Sequence, residues 1–484
     1  MVVVKKENPV KNYLYNISYK ILTLIIPLIT APYLARVIGA EGTGIYAYTY
    51  SIAHFFMLAA KLGVMNYGSR EIARVRDDEN ELKIVFNEIY RLQVFVASIV
   101  SISYYVFIAF FSHDDFAIYA VNGIYVLSII FDIDWLYYGI ENIKTMTIRN
   151  TVIKILTVIS ILLFVRDRND LLAYIIIMAV SELLKFFSLW FGVRRITSFS
   201  KIDIKKSLSH FRPILILFVP VIAMSIYRSM DKVMLGSMTD MVETGIYENT
   251  EKIIYVLLGF ISSLENVMMP RLSNLFSKGK KAEAIKNINF SLIFVTWLSC
   301  ALAFGISGIS KRFIPLFYGD DFIGVISLML PLATSLIYIA WADVIRSQYL
   351  VPKGYDNSYV VSTAVGAIIN LAVNIILIPK FGAMGAVVGT VCAELSVAIY
   401  VSFIAYKDIQ ILNTLKKASI FVLIGIVMME TVKYIGNIIP NPLPAICIQI
   451  ITGAIIYVLL SFVYIRIFLP DVYKMILRRV HRTA

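Results

Sequence analysis

Long apolar stretches alternate with short polar ones along the whole chain. Each apolar stretch runs for about 20 residues, enough for a helix to cross about 30 Å of hydrocarbon. The pattern predicts fourteen transmembrane helices, at 13–35, 44–65, 87–111, 116–138, 149–165, 170–192, 213–235, 245–269, 287–309, 322–348, 357–379, 383–405, 418–438 and 444–468. A membrane β-barrel would show short alternating segments instead, so the predicted fold is an all-α polytopic membrane protein. The largest polar link, 193–212, joins spans six and seven. It divides the chain into an N-lobe of helices 1–6 (1–198) and a C-lobe of helices 7–12 (199–406). Residues 407–484 hold helices 13 and 14 and a basic tail.

An internal repeat supports that division. Thr43-Gly44-Ile45-Tyr46 recurs as Thr244-Gly245-Ile246-Tyr247, each soon after a glycine that ends the preceding span, Gly39 or Gly236. The interval from Thr43 to Arg70 equals that from Thr244 to Arg271. Six spans per half is an even number, so both halves keep one orientation, as in transporters built from parallel repeats.

Composition agrees with the pattern. The 484 residues are 59% hydrophobic and only 16% charged, against about 25% charged in soluble domains. The net charge of +13 reads as topology, not nucleic-acid binding, because the basic residues lie between the spans. One set of links carries Lys5, Lys6, Lys11, Arg70, Arg74, Arg76, Lys83 and the run from Arg194 to Arg212. It continues through Lys278, Lys280, Lys281, Lys407, Lys416, Lys417 and the tail to Arg482. The opposite set is poor in Lys and Arg, which predicts a multi-pass membrane protein with both termini cytoplasmic. The first residues are polar and lack a cleavage site, so the first span is expected to remain as an anchor. Cys300, Cys392 and Cys447 all fall in apolar runs and offer neither a disulfide framework nor metal spacing.

Charges inside the spans carry the functional signal. On insertion scales one ionised group at mid-bilayer costs about 2.5–3.5 kcal/mol, while a Leu, Ile or Phe returns about 0.3–0.6 kcal/mol. Span seven holds Arg228, Asp231 and Lys232, spaced to share a helical face. Span eight holds Glu248, Glu251, Lys252 and Glu265, with Glu248 and Lys252 also spaced to pair locally. Span two holds His54 and Lys61. The repeat maps Ala47, Tyr50, His54 and Lys61 onto Glu248, Glu251, Tyr255 and Ser262, one stripe in each half. These stripes predict that spans one, two, seven and eight line a shared cavity, with His54, Lys61, Arg228, Asp231, Lys232, Glu248, Glu251, Lys252, Tyr50 and Tyr255 as its binding residues. Packing between helices and snorkelling, the latter for Arg36 above all, are the competing readings. Pro27, Pro32 and Pro220 would kink the first span of each half. Gly382, Gly385 and Gly389 suit close packing in span twelve.

Catalytic signatures are missing. There is no P-loop, no dinucleotide fingerprint and no HExxH, so no cofactor, no metal and no enzymatic activity are expected. His113-Asp114-Asp115 reads as an exposed polar turn.

The segments LGVMNYGSREIAR (62–74), FDIDWLYYGIENIKTMTIRN (131–150), DKVMLG (231–236) and VMMPRLSNLF (267–276) together resemble Wzx-type polysaccharide flippases. These belong to the multidrug/oligosaccharidyl-lipid/polysaccharide exporter superfamily. The resemblance runs from VIGAEGTGIY to the twelfth span. It implies two six-helix lobes around a central cavity and alternating access. The implied cargo is an undecaprenyl-diphosphate-linked oligosaccharide of O-antigen, capsule or exopolysaccharide type. It also implies that Asp231 and Lys232 line the cavity, with Arg70 and Glu71 at its cytoplasmic mouth, where the repeat adds Arg271. Span one offers only Lys20 and Arg36 as cations, without a counterpart of the first-span arginine of lipid II flippases. Implied partners are the lipid bilayer, the pathway's glycan polymerase and glycosyltransferases, and a coupling ion, H⁺ or Na⁺. Two rival expectations stand beside this one. A drug or cation antiporter of the same superfamily would use Asp231, Glu248 and Glu251. A polytopic glycan polymerase or glycosyltransferase would need a large outer loop, and the first outer loop here, Gly39 to Thr43, is small.

Overall fold

Backbone amides in hydrocarbon have only each other for partners, so the apolar stretches close into helices. A computed structural model describes residues 9–111, 115–200, 204–470 and 472–474. Side chains are described except at 9–22, 24, 25, 204, 219, 220, 223, 224, 226–228 and 263–267. The side chains of Pro220, Tyr227, Arg228 and Glu265, residues 112–114 with His113 and Asp114, and the basic tail beyond 474 therefore lie outside the described residues. The chain forms two compact units, Met1–Gly236 and Ser237–Ala484.

The first unit begins with α1 (Pro9–Lys61), α2 (Val64–Val75), α3 (Glu79–Phe111), α4 (Phe116–Ser128) and α5 (Asp134–Gly139). It continues with α6 (Ile143–Phe164), α7 (Leu171–Phe187), α8 (Trp190–Val193), α9 (Ile204–Ser209) and α10 (Phe211–Met238). The second holds α11 (Met241–Ser277), α12 (Lys281–Phe317), α13 (Gly324–Ile345), α14 (Asp356–Phe381), α15 (Ala383–Ala405), α16 (Ile411–Ile438) and α17 (Pro442–Phe468). Among the described residues, ten helical segments are long and apolar enough to cross a membrane. The other four predicted spans fall on α1, which takes up two, and on α10 and α11. The polytopic helical fold is as expected.

Two departures from the predicted spans have local causes. Spans one and two run on as one helix, α1, turned at Gly39 (φ 70°, ψ −176°). That backbone excludes most side chains and suits glycine. Span four breaks after α4, where Asp132 is extended (φ −70°, ψ 111°). Its Oδ1 accepts the Asp134 N–H at 3.0 Å, so a side chain replaces the helical acceptor. Gln93 fixes the break: its Nε2 donates to the Ile129 and Asp132 carbonyls at 2.8 and 2.7 Å, and its Oε1 accepts the Trp135 indole N–H at 2.9 Å. Trp135 stacks on Phe86 with ring centres 5.6 Å apart.

Close backbone approach sets α10 against α1. Leu62 takes a left-handed φ of 46° to end α1. Gly63 follows so tightly that a Cβ there would stand 2.5 Å from the Ile214 carbonyl oxygen. At the other end of α10, a Cβ on Gly236 would stand 2.3 Å from the Tyr48 ring. The segment entering α10 is tied down by His210. Its Nδ1 meets the Tyr67 hydroxyl at 2.7 Å and its Nε2 meets the Glu88 carboxylate at 3.0 Å.

In the second unit α12, α16 and α17 enclose an apolar core containing Phe304, Phe421, Met428 and Tyr457. Asp408, in the turn between α15 and α16, accepts from Lys281 at 2.8 Å, from the Tyr349 hydroxyl at 2.6 Å and from Lys353. These bonds, that of Lys281 foremost, hold its carboxyl well below the usual carboxylate range. A depressed carboxyl stabilises the fold at pH values above the ordinary value of about 4, and the contribution fades as the pH falls toward the folded value. Asp408→Asn is therefore expected to lower the unfolding temperature at neutral pH, with the gap to wild type closing only below about pH 4. Thermal unfolding in detergent across a pH series measures this; a gap unchanged down to about pH 3 would contradict it.

Candidate functional site

The second part of α1 presents a polar and aromatic stripe at helical spacing. Tyr46 and Tyr50 stack with ring centres 5.5 Å apart, and His54 follows 5.9 Å from Tyr50. Two tyrosines from other helices complete the group. Tyr125 of α4 meets Tyr50 edge-on at 5.0 Å, and its hydroxyl lies 3.2 Å from that of Tyr46. Tyr174 of α7 meets Tyr46 at 4.9 Å. His54 is half-buried, and its Nδ1 has no hydrogen-bond partner among the described residues.

Lys61 ends the stripe and has a resident partner. Its Nζ lies 2.8 Å from Asp132 Oδ2, and its side chain is 33% exposed against 8% for Asp132. From α10, Asp231 is buried and Lys232 half-buried. Lys232 and Lys61 both lie close enough to act electrostatically on the His54 imidazole. The first unit thus brings His54, Lys61 and Lys232 together, with Tyr50 beside His54. Arg228 shares α10, with its side chain outside the described residues.

The second unit holds the matching stripe on α11. Glu248 and Lys252 pair at 3.3 Å, the local pairing that their spacing allows. Glu251 is buried and Tyr255 is exposed. Tyr247, fully buried, shares a hydrogen bond of 3.0 Å with the Thr390 hydroxyl. Arg271 is exposed toward the end of α11. On α2, Glu71 pairs with Arg70 at 3.3 Å and with Arg74 at 2.9 Å, and Arg70 lies over the Tyr67 ring at 5.5 Å.

One set of charges was not singled out from the sequence. Asp132, Asp134, Lys154, Glu182 and Lys185 all lie within predicted spans, in the break after α4 and in α5, α6 and α7. Lys185 pairs with Glu182 at 2.6 Å. The two aspartates of FDIDW carry the same insertion cost as Asp231.

Residues 10–276 match the family described as polysaccharide biosynthesis protein. The chain is 21% identical over 386 residues to a putative O-antigen transporter of Shigella dysenteriae, covering 78% of this chain and 94% of that protein. Among solved structures, a lipid II flippase MurJ in an inward closed conformation superposes with a TM-score of 0.75 at 18% identity, covering 94% of this chain and 99% of that one. An inward-facing MATE-family multidrug resistance transporter gives 0.61 at 14% identity, covering 83% and 98%. At these identities the structural likenesses show the fold.

Proposed function

The chain belongs to the polysaccharide biosynthesis protein family, and from that premise we propose that it carries undecaprenyl-diphosphate-linked oligosaccharide units across the bacterial cytoplasmic membrane. It is a multi-pass flippase-type transporter of the multidrug/oligosaccharidyl-lipid/polysaccharide exporter superfamily. One observation supports the cargo above the others: a tyrosine and histidine stack on α1 runs into Lys61, with Lys232 in electrostatic range. Sugar rings pack on aromatic faces. A diphosphate needs fixed cations, and charge-assisted bonds to it are about twice as strong as neutral ones. The lipid tail stays in the bilayer while the polar headgroup crosses by alternating access. Glycosyltransferases supply the cargo and a polymerase consumes it.

A deletion strain tests this. Lipid-linked glycan units are expected to accumulate on the inner leaflet, and wild-type protein is expected to restore their export. Units reaching the outer leaflet unpolymerised would point to a polymerase. Unchanged glycan export with increased drug susceptibility would point to an antiporter.

A further inference from the structure

Lys61 has a second role that follows from its partner, and it rests on the diphosphate cargo just proposed. The two ends of the Lys61–Asp132 pair differ in freedom. Asp132 is fixed: Oδ2 takes Lys61, Oδ1 takes the Asp134 N–H, and its carbonyl takes Gln93. Lys61 is a long, flexible side chain, one-third exposed, with its ammonium 4.7 Å from the Phe186 ring centre. When an anion competes, the lysine moves and the aspartate stays.

What the lysine leaves behind decides the consequence. Asp134 is two residues on, and its Oδ1 is buried with no hydrogen-bond partner among the described residues. The charged groups around the pair are Lys61 from α1, Glu182 and Lys185 from α7, and Lys154 from α6, with the Tyr138 phenol on α5. Lys185 lies 4.5 Å from the Phe186 ring centre and is paired with Glu182 at 2.6 Å. With Lys61 in place, Asp132 has its own ammonium, and Lys61 and Lys185 both act on Asp134. With Lys61 withdrawn, the neighbouring Asp132 and Asp134 carboxyls share a poorly solvated break, and the one ammonium still acting on both, Lys185, is paired with Glu182 at 2.6 Å. Like charges so placed cannot both stay ionised at little cost.

We propose that Lys61 alternates between Asp132 and the phosphate of the cargo, and that the Asp132–Asp134 carboxyl pair binds one proton each time the phosphate takes the lysine. The proton comes from water at the exposed side of Lys61 and forms one carboxyl O–H bond. It returns to water when the phosphate leaves and Lys61 re-pairs. Asp132 then acts as a positioning residue for the lysine, and the pair links cargo binding to proton uptake.

The test uses the full-length protein in nanodiscs with farnesyl diphosphate as the probe. Calorimetry in buffers of different ionisation enthalpy counts the protons taken up. Wild type is expected to take up close to one proton more per bound probe than the Asp132→Asn, Asp134→Asn double variant, and its affinity should rise more steeply as the pH falls. Asp132→Asn alone frees Lys61 and should bind the probe about tenfold tighter at neutral pH, a shift equivalent to about 1.4 kcal/mol. A carboxyl that only held the fold together would weaken binding when replaced. Lys61→Arg should keep the proton uptake, and Lys61→Gln should lose it. Probe binding by wild type with no more proton uptake than by the double variant overturns the exchange, as does weaker binding by folded Asp132→Asn. Folding is read from an unchanged thermal transition, and Asp134→Asn, expected to lower uptake by itself, supplies the same comparison should Asp132→Asn unfold. Failure of wild type to bind any lipid diphosphate overturns the cargo reading instead.

Discussion

Replacing Lys232 with alanine together with Arg228 is expected to abolish glycan export while the protein still inserts and accumulates normally. Charges inside a membrane span are costly. Two cations and Asp231 in one predicted span carry an insertion penalty of several times about 2.5–3.5 kcal/mol, and the apolar neighbours of α10 offset only part of it. Lys232 is half-buried and acts on His54, so it stands at the stripe that also holds Tyr50 and Lys61. A hydrogen bond to a charged partner is worth about 1.5–3 kcal/mol, so losing two such contacts to a diphosphate weakens binding by orders of magnitude. Lys232→Arg keeps the charge and should retain most export. Export is read from surface glycan, and insertion from the amount of protein in the membrane fraction. Wild-type export by a well-expressed double variant would remove these cations from any role in holding the cargo.

Much of this surface was legible from periodicity. Steps of three, four and seven placed Tyr50, His54 and Lys61 on one stripe, and α1 carries them so. The Glu248–Lys252 pair followed from its i,i+4 spacing. Span limits were legible where a glycine or proline stops the helix: α15 starts after Gly382 (φ 55°) and covers 383–405, the predicted range. Two features were not legible. The break at Asp132 was hidden because apolar neighbours outweigh two aspartates over a window of about 20 residues. The partner of Lys61 was hidden because Lys61 and Asp132 meet only through packing of α1 against α4 and α7, which no local period encodes. The same holds for His210, whose partners Tyr67 and Glu88 come from α2 and α3. For Lys61 and His210 the side chain is satisfied by a distant segment.

Gly63→Ala should have the second large effect, although residue 63 carries no charge and touches no proposed cargo. Gly63 sits at φ −95°, ψ 18°, a backbone open to alanine, so the added methyl meets no penalty of its own conformation. The penalty lies in what surrounds it. The methyl carbon would stand 2.5 Å from the Ile214 carbonyl oxygen, 3.0 Å from the Phe218 nitrogen and 3.1 Å from the Leu217 carbonyl carbon. All three are backbone atoms of one helix, so no rotamer change relieves the contact and α10 must shift as a body. Overpacking of this kind costs about 1–3 kcal/mol, and backbone neighbours put it at the upper end. The shift also acts on the site, because Gly63 is two residues beyond Lys61 and α10 carries Lys232. Both thermal stability in detergent and glycan export should therefore fall. Gly236→Ala is the informative comparison. Its methyl would meet the Tyr48 ring at 2.3 Å, a side chain that Tyr48→Ala removes, so the Gly236→Ala, Tyr48→Ala pair should recover stability that Gly236→Ala alone has lost. No such partner exists for the backbone contact at Gly63. Wild-type stability and export in Gly63→Ala would show that the spacing of α1 and α10 has slack and does not set the position of the two lysines.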